Sequence, residues 1–422
     1  MPVATTLEQA AYQYLSVFTQ PEVAWPASLQ AGGVQALYVE PPREGLGPGP
    51  MLRLMRNLRG QTAGGAKYLL TGQRGSGKSF ALAHLAHQLR NEFHVVRVSA
   101  TDHTGTTQAE VELADLLLIL AQHLAGTMQR SYYAQDGAAA DLKSWMSRFA
   151  TLASLPPPPS RTESPALEIS SFFAKLSSRM RTDGEMSKLV RAAAPDDLLT
   201  VVNEFLRALA GDGQRVLVLF DDLDKIDLQF AGRLFGAQLS VLARLDALLV
   251  LTMPFATALG AGAAWDLTTL RNQKVWTDTK PLKFNEAAVS HFRDLVGKLV
   301  EPALLEEPAL RLAVSKCGGI PREFGKVMVK AFEVAEYQAA SVVNESHVRE
   351  AHRQRTVELS GLIQLGERRE SLERVAGEKR LTTAVDHAML ELNLLIEYVN
   401  GHRWYGVHPL VEPLINPAPV EK

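Results

Sequence analysis

Residues 71–80 read TGQRGSGKSF and satisfy the pattern G-x-x-x-x-G-K-[ST] without a mismatch. No other stretch restricts the fold as strongly, because the pattern works only where a strand ends and a helix begins. Gly72 and Gly77 allow backbone conformations closed to residues with a Cβ, so the turn can wrap a phosphate with the N–H groups of Gly75, Ser76 and Gly77. Those amides open a helix whose positive end favours the anion. Lys78 is placed to reach β- and γ-phosphates, and the Ser79 hydroxyl suits Mg²⁺. The flanks agree: AKYLL (66–70) reads as a short buried strand, and SFALAHLAHQLRNEF (79–93) as an amphipathic helix with Leu82, Leu85 and Leu89 on one face. A glycine-rich surface turn would need neither flank.

From there the chain alternates apolar strands with helical stretches. FHVVRVSA (93–100), QRVLVLFDD (214–222) and ALLVLTM (247–253) follow AKYLL, and QKVWTD (273–278) is the candidate fifth strand. Alternation of this kind predicts an α/β fold, a parallel sheet with helices on both faces and ligands at the carboxyl ends of the strands. About a hundred residues separate the second strand from the third, too many for a plain crossover. A helix over 108–125 begins this stretch, PPPP at 156–159 interrupts it and SSFFAKLSSRMR (170–181) resumes helical spacing, so 126–197 is expected to be a helical insertion. It is either a partner surface or a tolerated decoration. The uncharged run ALLVLTMPFATALGAGAAW (247–265) approaches the length of a membrane span, but Pro254, Gly260 and Gly262 argue for a buried strand, a loop and a short helix.

VLVLFDDLDKI (216–226) is the second informative motif. An apolar strand with an acid at its tip is the Walker B arrangement, in which one carboxylate holds Mg²⁺ through water and the next polarises the attacking water. Asp221 takes the first role and Asp222 the second; Asp224 is a weaker third candidate, since it can instead only cap the next helix. No N-K-x-D base-reading motif is present, which favours adenine over guanine and makes ATP with Mg²⁺ the expected ligand pair.

GQRGSGKS, FDDLDK, the strand ALLVLTM and GGIPRE (318–323) together resemble the AAA+ superfamily of P-loop ATPases, its initiator-like and STAND branches in particular. FDDLDK is also similar to the Walker B motif of KAP-type ATPases. The resemblance covers roughly residues 60–352 and implies an ATPase core, with one strand inserted between the two Walker strands, and a helical lid. It implies that Thr252 is sensor 1 and that Arg322 is sensor 2, lowered by the lid onto the phosphates. Arg271 is the best-placed residue for an arginine finger acting on a neighbouring subunit. One departure bears on rate: the usual glutamate after the Walker B aspartate is Asp222, whose shorter side chain reaches a water less easily. Slow hydrolysis, suited to a switch, is the expected consequence.

The expected organisation is a lead-in segment over 1–50, a P-loop core over 51–281 containing the insertion, a helical lid over 282–358 and a C-terminal module over 359–422. In the last, LTTAVDHAML (381–390) reads as a helix, and ELNLLIEYVNGHRWYGVHPLV (391–411) as two strands around Asn400-Gly401, which suggests a winged-helix-like unit. Charge bears on its partners. The chain has a formal net charge of −2, and residues 381–422 hold Arg403 and Lys422 against Asp386, Glu391, Glu397, Glu412 and Glu421. Such a surface matches a phosphate backbone poorly. Two readings stand: a switch or assembly ATPase that acts on copies of itself or on a protein effector, and a DNA-binding ATPase of the initiator or loader kind. A third possibility is that the nucleotide is structural and never turned over. The single cysteine, Cys317, excludes an internal disulfide framework and fits a reducing, cytoplasmic compartment. The absence of Lys or Arg before Arg43 argues against a basic transit peptide, and no compact apolar run suggests a secretory signal.

Overall fold

The computed structural model describes residues 3–15, 37–40, 49–61, 66–100, 111–127, 195–210, 213–260, 265–276, 283–363, 366–400 and 402–415, with isolated residues between 146 and 178. Most of the expected insertion, PPPP included, lies outside the described residues. So do Gly401 and most of the N-terminal lead-in.

The described residues fall into two compact units. One comprises 54–71 and 85–268 and holds a five-stranded sheet in the order β2-β3-β4-β1-β5. The strands are β1 (Lys67–Thr71), β2 (Phe93–Ser99), β3 (Arg215–Asp221), β4 (Leu248–Met253) and β5 (Asp266–Thr269). β1 with β4, β4 with β3 and β3 with β2 all pair in parallel. β4 therefore lies between the strand that leads into the glycine-rich loop and the strand that delivers the acids. Its residues are buried throughout, as are those of β1, which is why both read as unbroken apolar runs. The helices Leu113–Thr127 and Pro195–Leu209 pack on the same core. Their apolar residues, such as Leu117, Leu120, Val202 and Phe205, are fully or almost fully buried.

Two sequence expectations are corrected. The fifth strand is DLTT at 266–269, and 273–276 contributes only an isolated bridge between Trp276 and Phe284. As a sheet edge, DLTT is largely exposed on its first two residues and so carries no apolar run. Asp224 does not cap the following helix. Asp227 does, its side chain accepting the Gln229 N–H at 2.8 Å, because a 3-10 turn at Leu223–Lys225 displaces the helix start to Leu228.

The other unit comprises 1–53, 72–84 and 269–422. The helices Glu286–Gly297, Glu307–Lys316, Pro321–Tyr337 and Glu345–Ser360 bury Phe292, Phe324, Phe332 and Val348 in one core, which Ala4, Leu7 and Leu15 of the N-terminal segment join. Asn285 caps the first helix, and Asn344 with His347 forms a capping box on the last. A second capping box, Thr383 with Asp386, starts the helix Ala384–Glu391. It leads into the antiparallel hairpin of β6 (Leu395–Asn400) and β7 (His402–Val407). Trp404 stacks on Tyr398 at 4.3 Å between centroids and packs against Ile320 and Ile396. Among the described residues no helix is long and apolar enough to cross a membrane.

Candidate phosphate-binding site

The loop Gly72–Ser79 leaves the end of β1 and opens the helix Lys78–Leu89. Gly75 and Gly77 take φ of +84° and +96°, a region that strongly favours glycine. At Gly75 space compounds conformation: an added Cβ would stand 2.6 Å from the Cβ of Arg322. At Gly77 nothing lies within 4 Å of that position, so the loop is open on this side. The Ser76 N–H donates to the Gln73 carbonyl at 3.1 Å, which tightens the turn. Lys78 is buried, and its ammonium donates to the carbonyls of Gly72 at 2.7 Å and Gln73 at 3.1 Å.

The residues fit a bound phosphate. Ser76 Oγ is buried without a hydrogen-bond partner, a group that costs free energy unless a ligand or water meets it. The open face at Gly77 leaves room for one.

Arg322 is brought to this loop. Gly318 and Gly319 turn the chain at φ of +61° and +77°, and Pro321 begins a helix where its missing N–H costs nothing. The Arg322 N–H then donates to the Gly75 carbonyl at 3.2 Å. Its guanidinium has no ion pair among the described residues. Arg271 belongs to the same unit; it is about half exposed, with Nε 3.9 Å from Glu397 Oε2. Arg403 pairs with the same carboxylate at 2.8 Å.

The acids belong to the sheet unit and form a cluster there. Asp221 ends β3 buried, its Oδ1 accepting the Asp222 N–H at 2.8 Å and its Oδ2 facing Arg97 at 3.2 Å. Burial, and then the charges of Asp222 and Asp224, push its carboxyl above the ordinary range. Asp222 takes φ of +66°, which a short polar side chain tolerates better than most. Its carboxylate accepts the Ser99 hydroxyl at 2.7 Å and pairs with Lys225. One oxygen from each of Asp221, Asp222 and Asp224 lies within 4.8 Å of the others. Oxygen donors crowded this closely suit a hard divalent cation, which would relieve the repulsion that raises Asp221.

Thr252 is fully buried in β4, and its hydroxyl accepts the Leu223 N–H at 2.9 Å. It thereby holds the acidic turn and keeps its own O–H to donate. Arg97 and Ser99, both on β2, were not singled out from sequence. The parallel register that sets Ser99 beside Asp221 brings them there, and no local pattern announces it.

Residues 49–251 match the family model described as AAA ATPase domain. No curated protein matches the sequence. Among solved structures, the chain is similar to the Walker-type ATPase PABY2304 of Pyrococcus abyssi, at 12% identity and a TM-score of 0.45, over 87% of this chain and 94% of that one. It is also similar to the ORC2 protein of Aeropyrum pernix, at 12% identity and 0.44 over 91% and 97%. For Cdc6p of Pyrobaculum aerophilum the values are 11% and 0.40 over 95% and 96%.

Proposed function

We propose that the AAA+ P-loop ATPase domain this chain carries binds ATP with Mg²⁺, hydrolyses it slowly and acts as a switch that controls self-assembly or a protein effector. The observation that carries this reading is the loop itself: left-handed glycines, an unpartnered buried Ser76 Oγ and the start of the Arg322 helix hydrogen-bonded to Gly75. In this reading Gly72, Gly75, Ser76 and Gly77 cradle the phosphates. Lys78 leaves its two carbonyls to neutralise β- and γ-phosphate charge. Ser79 and Asp221 hold Mg²⁺, which supplies charge neutralisation on the phosphate oxygens when bound.

Asp222 orients the attacking water and accepts its proton. Its engagement by Ser99 and Lys225, together with its short side chain, supports a slow rate, because those bonds compete with a water. Thr252 reports the γ-phosphate through the turn that it holds. Arg322 meets the same phosphate from the first turn of its helix, and Arg271, itself half exposed and only loosely paired with Glu397 at 3.9 Å, is the candidate for action on a neighbouring subunit. We assign the core to 51–281, the lid to 282–358 and a winged-helix-like module to 359–422.

Lys78→Ala tests the reading. The helix stays intact and only the charge partner is lost, so ATP affinity measured by isothermal titration is expected to fall below detection. Unchanged affinity would refute the assignment. The DNA-binding alternative gains no specific support, since Arg374 and Arg403 are paired with Asp386 and Glu397 within their own unit.

A further inference from the structure

Gln73 occupies a position that the phosphate-loop pattern leaves open to any residue, yet its side chain is almost fully buried. Nε2 donates to the carbonyls of Leu390 at 3.3 Å and Leu395 at 2.8 Å. Oε1 accepts the Glu397 N–H at 3.1 Å and the side-chain amide of Asn272. A primary amide offers two N–H donors and two lone pairs, and here all four are used. Three of the four partners are main-chain groups between residues 390 and 397, more than three hundred residues along the chain.

The next residue is held from the same segment. Asn393, itself at φ of +58°, donates from Nδ2 to the Arg74 carbonyl at 2.8 Å, and Arg74 Nε lies 3.9 Å from Glu391 Oε2. Residues 73 and 74 immediately precede Gly75–Ser79, whose backbone is the part offered to phosphate. A loop with three glycines has many conformations to lose on ordering. Bonds that hold its first two variable residues remove much of that freedom before any phosphate arrives, and losing them would leave several buried polar groups unpaired.

We propose that Gln73 is a positioning residue through which segment 390–397 holds the phosphate loop in its binding shape, so that docking of the C-terminal hairpin and binding of phosphate form one coupled equilibrium. The inference rests on reading the loop as the phosphate site for ATP. By reciprocity, nucleotide tightens the hairpin on the loop by the same factor as the docked hairpin tightens nucleotide.

The test uses the full chain with ATP and ADP, nucleotide affinity being followed by isothermal titration and the hairpin by hydrogen exchange over 395–407. In the parent, nucleotide is expected to slow exchange of the hairpin amides, that of Glu397 included. Gln73→Leu keeps the bulk and loses all four bonds; Gln73→Glu keeps the shape but cannot donate to Leu390 and Leu395. Both are expected to weaken nucleotide on the order of tenfold and to leave hairpin exchange the same with and without it. Should both fail to fold, Asn393→Gly, which suits the left-handed backbone and removes only the tether to Arg74, is expected to show a smaller loss of the same kind.

A residue that merely stabilised the fold would lower the melting temperature with and without nucleotide alike; here the nucleotide-induced rise itself is expected to shrink. Variants that bind as tightly as the parent, or whose hairpins still respond to nucleotide, would overturn the proposal. A parent chain that binds neither nucleotide would overturn the reading of the loop, a failure visible before any substitution is made.

Discussion

Asp222 concentrates the proposed chemistry at the residue scale. It stands in a left-handed conformation, hydrogen-bonded to Ser99 and paired with Lys225, directly after the buried Asp221. Asp222→Asn keeps the shape and removes the proposed proton acceptor, so ATP binding is expected to persist while single-turnover hydrolysis falls by about a hundredfold or more. Equal turnover in variant and parent would place the base elsewhere. Two buried histidines set a different dependence. Burial pushes His291 and His408 from the ordinary 6.5 down to about 4. Between those values the unfolded chain holds protons that the folded one does not, so stability rises with pH across the window, is fully present above 6.5 and is lost towards 4. Each group contributes a slope of up to about 1.4 kcal/mol per pH unit. Denaturant midpoints between pH 4.5 and 7 are expected to follow this trend, and His291→Leu to flatten it.

At the scale of the element, the helix Pro321–Tyr337 joins backbone chemistry to the proposed switch. Gly319 cannot carry a side chain because a Cβ there would collide with the Gln273 carbonyl, and the turn it permits delivers Arg322 to Gly75. If Arg322 meets the γ-phosphate, protection across 284–340 is expected to be greater with ATP than with ADP, by a coupling of about 1–3 kcal/mol. Arg322→Ala is expected to keep most nucleotide binding and lose that difference in hydrogen exchange. Identical protection with ATP and ADP in the parent would make nucleotide a structural ligand. The element that sequence misplaced is instructive. β5 is a short edge whose exposed residues leave no apolar signature, whereas Val275 and Trp276 of QKVWTD owe their apolar character to packing in the core of the other unit.

For the whole molecule, charge and pairing bear on partners. A net charge of −2, with Arg374 and Arg403 paired with Asp386 and Glu397, argues against a broad basic surface for a phosphate backbone. Fluorescence anisotropy with duplex DNA at low salt is expected to show binding no tighter than the non-specific range of about 10⁻⁴–10⁻⁶ M. A tight complex with a steep salt dependence would promote the initiator-type reading instead.

Sequence by itself determined the glycine-rich loop, the acidic strand end and the succession of the first four strands along the chain. Each rests on contiguous residues: a phosphate cradle needs its glycines, lysine and serine in one run, and a buried parallel strand needs an unbroken apolar one. Tertiary structure alone decided which unit holds each part, that Ser99 and Arg97 face the acids, and that Gln73 is claimed by residues 390–397. Those partners are largely main-chain carbonyls and amides, which every residue carries, and they meet the loop only after the chain has folded back across more than three hundred positions. No local pattern of side chains encodes such a bond, so it becomes legible only when the packing that brings the segments together is known.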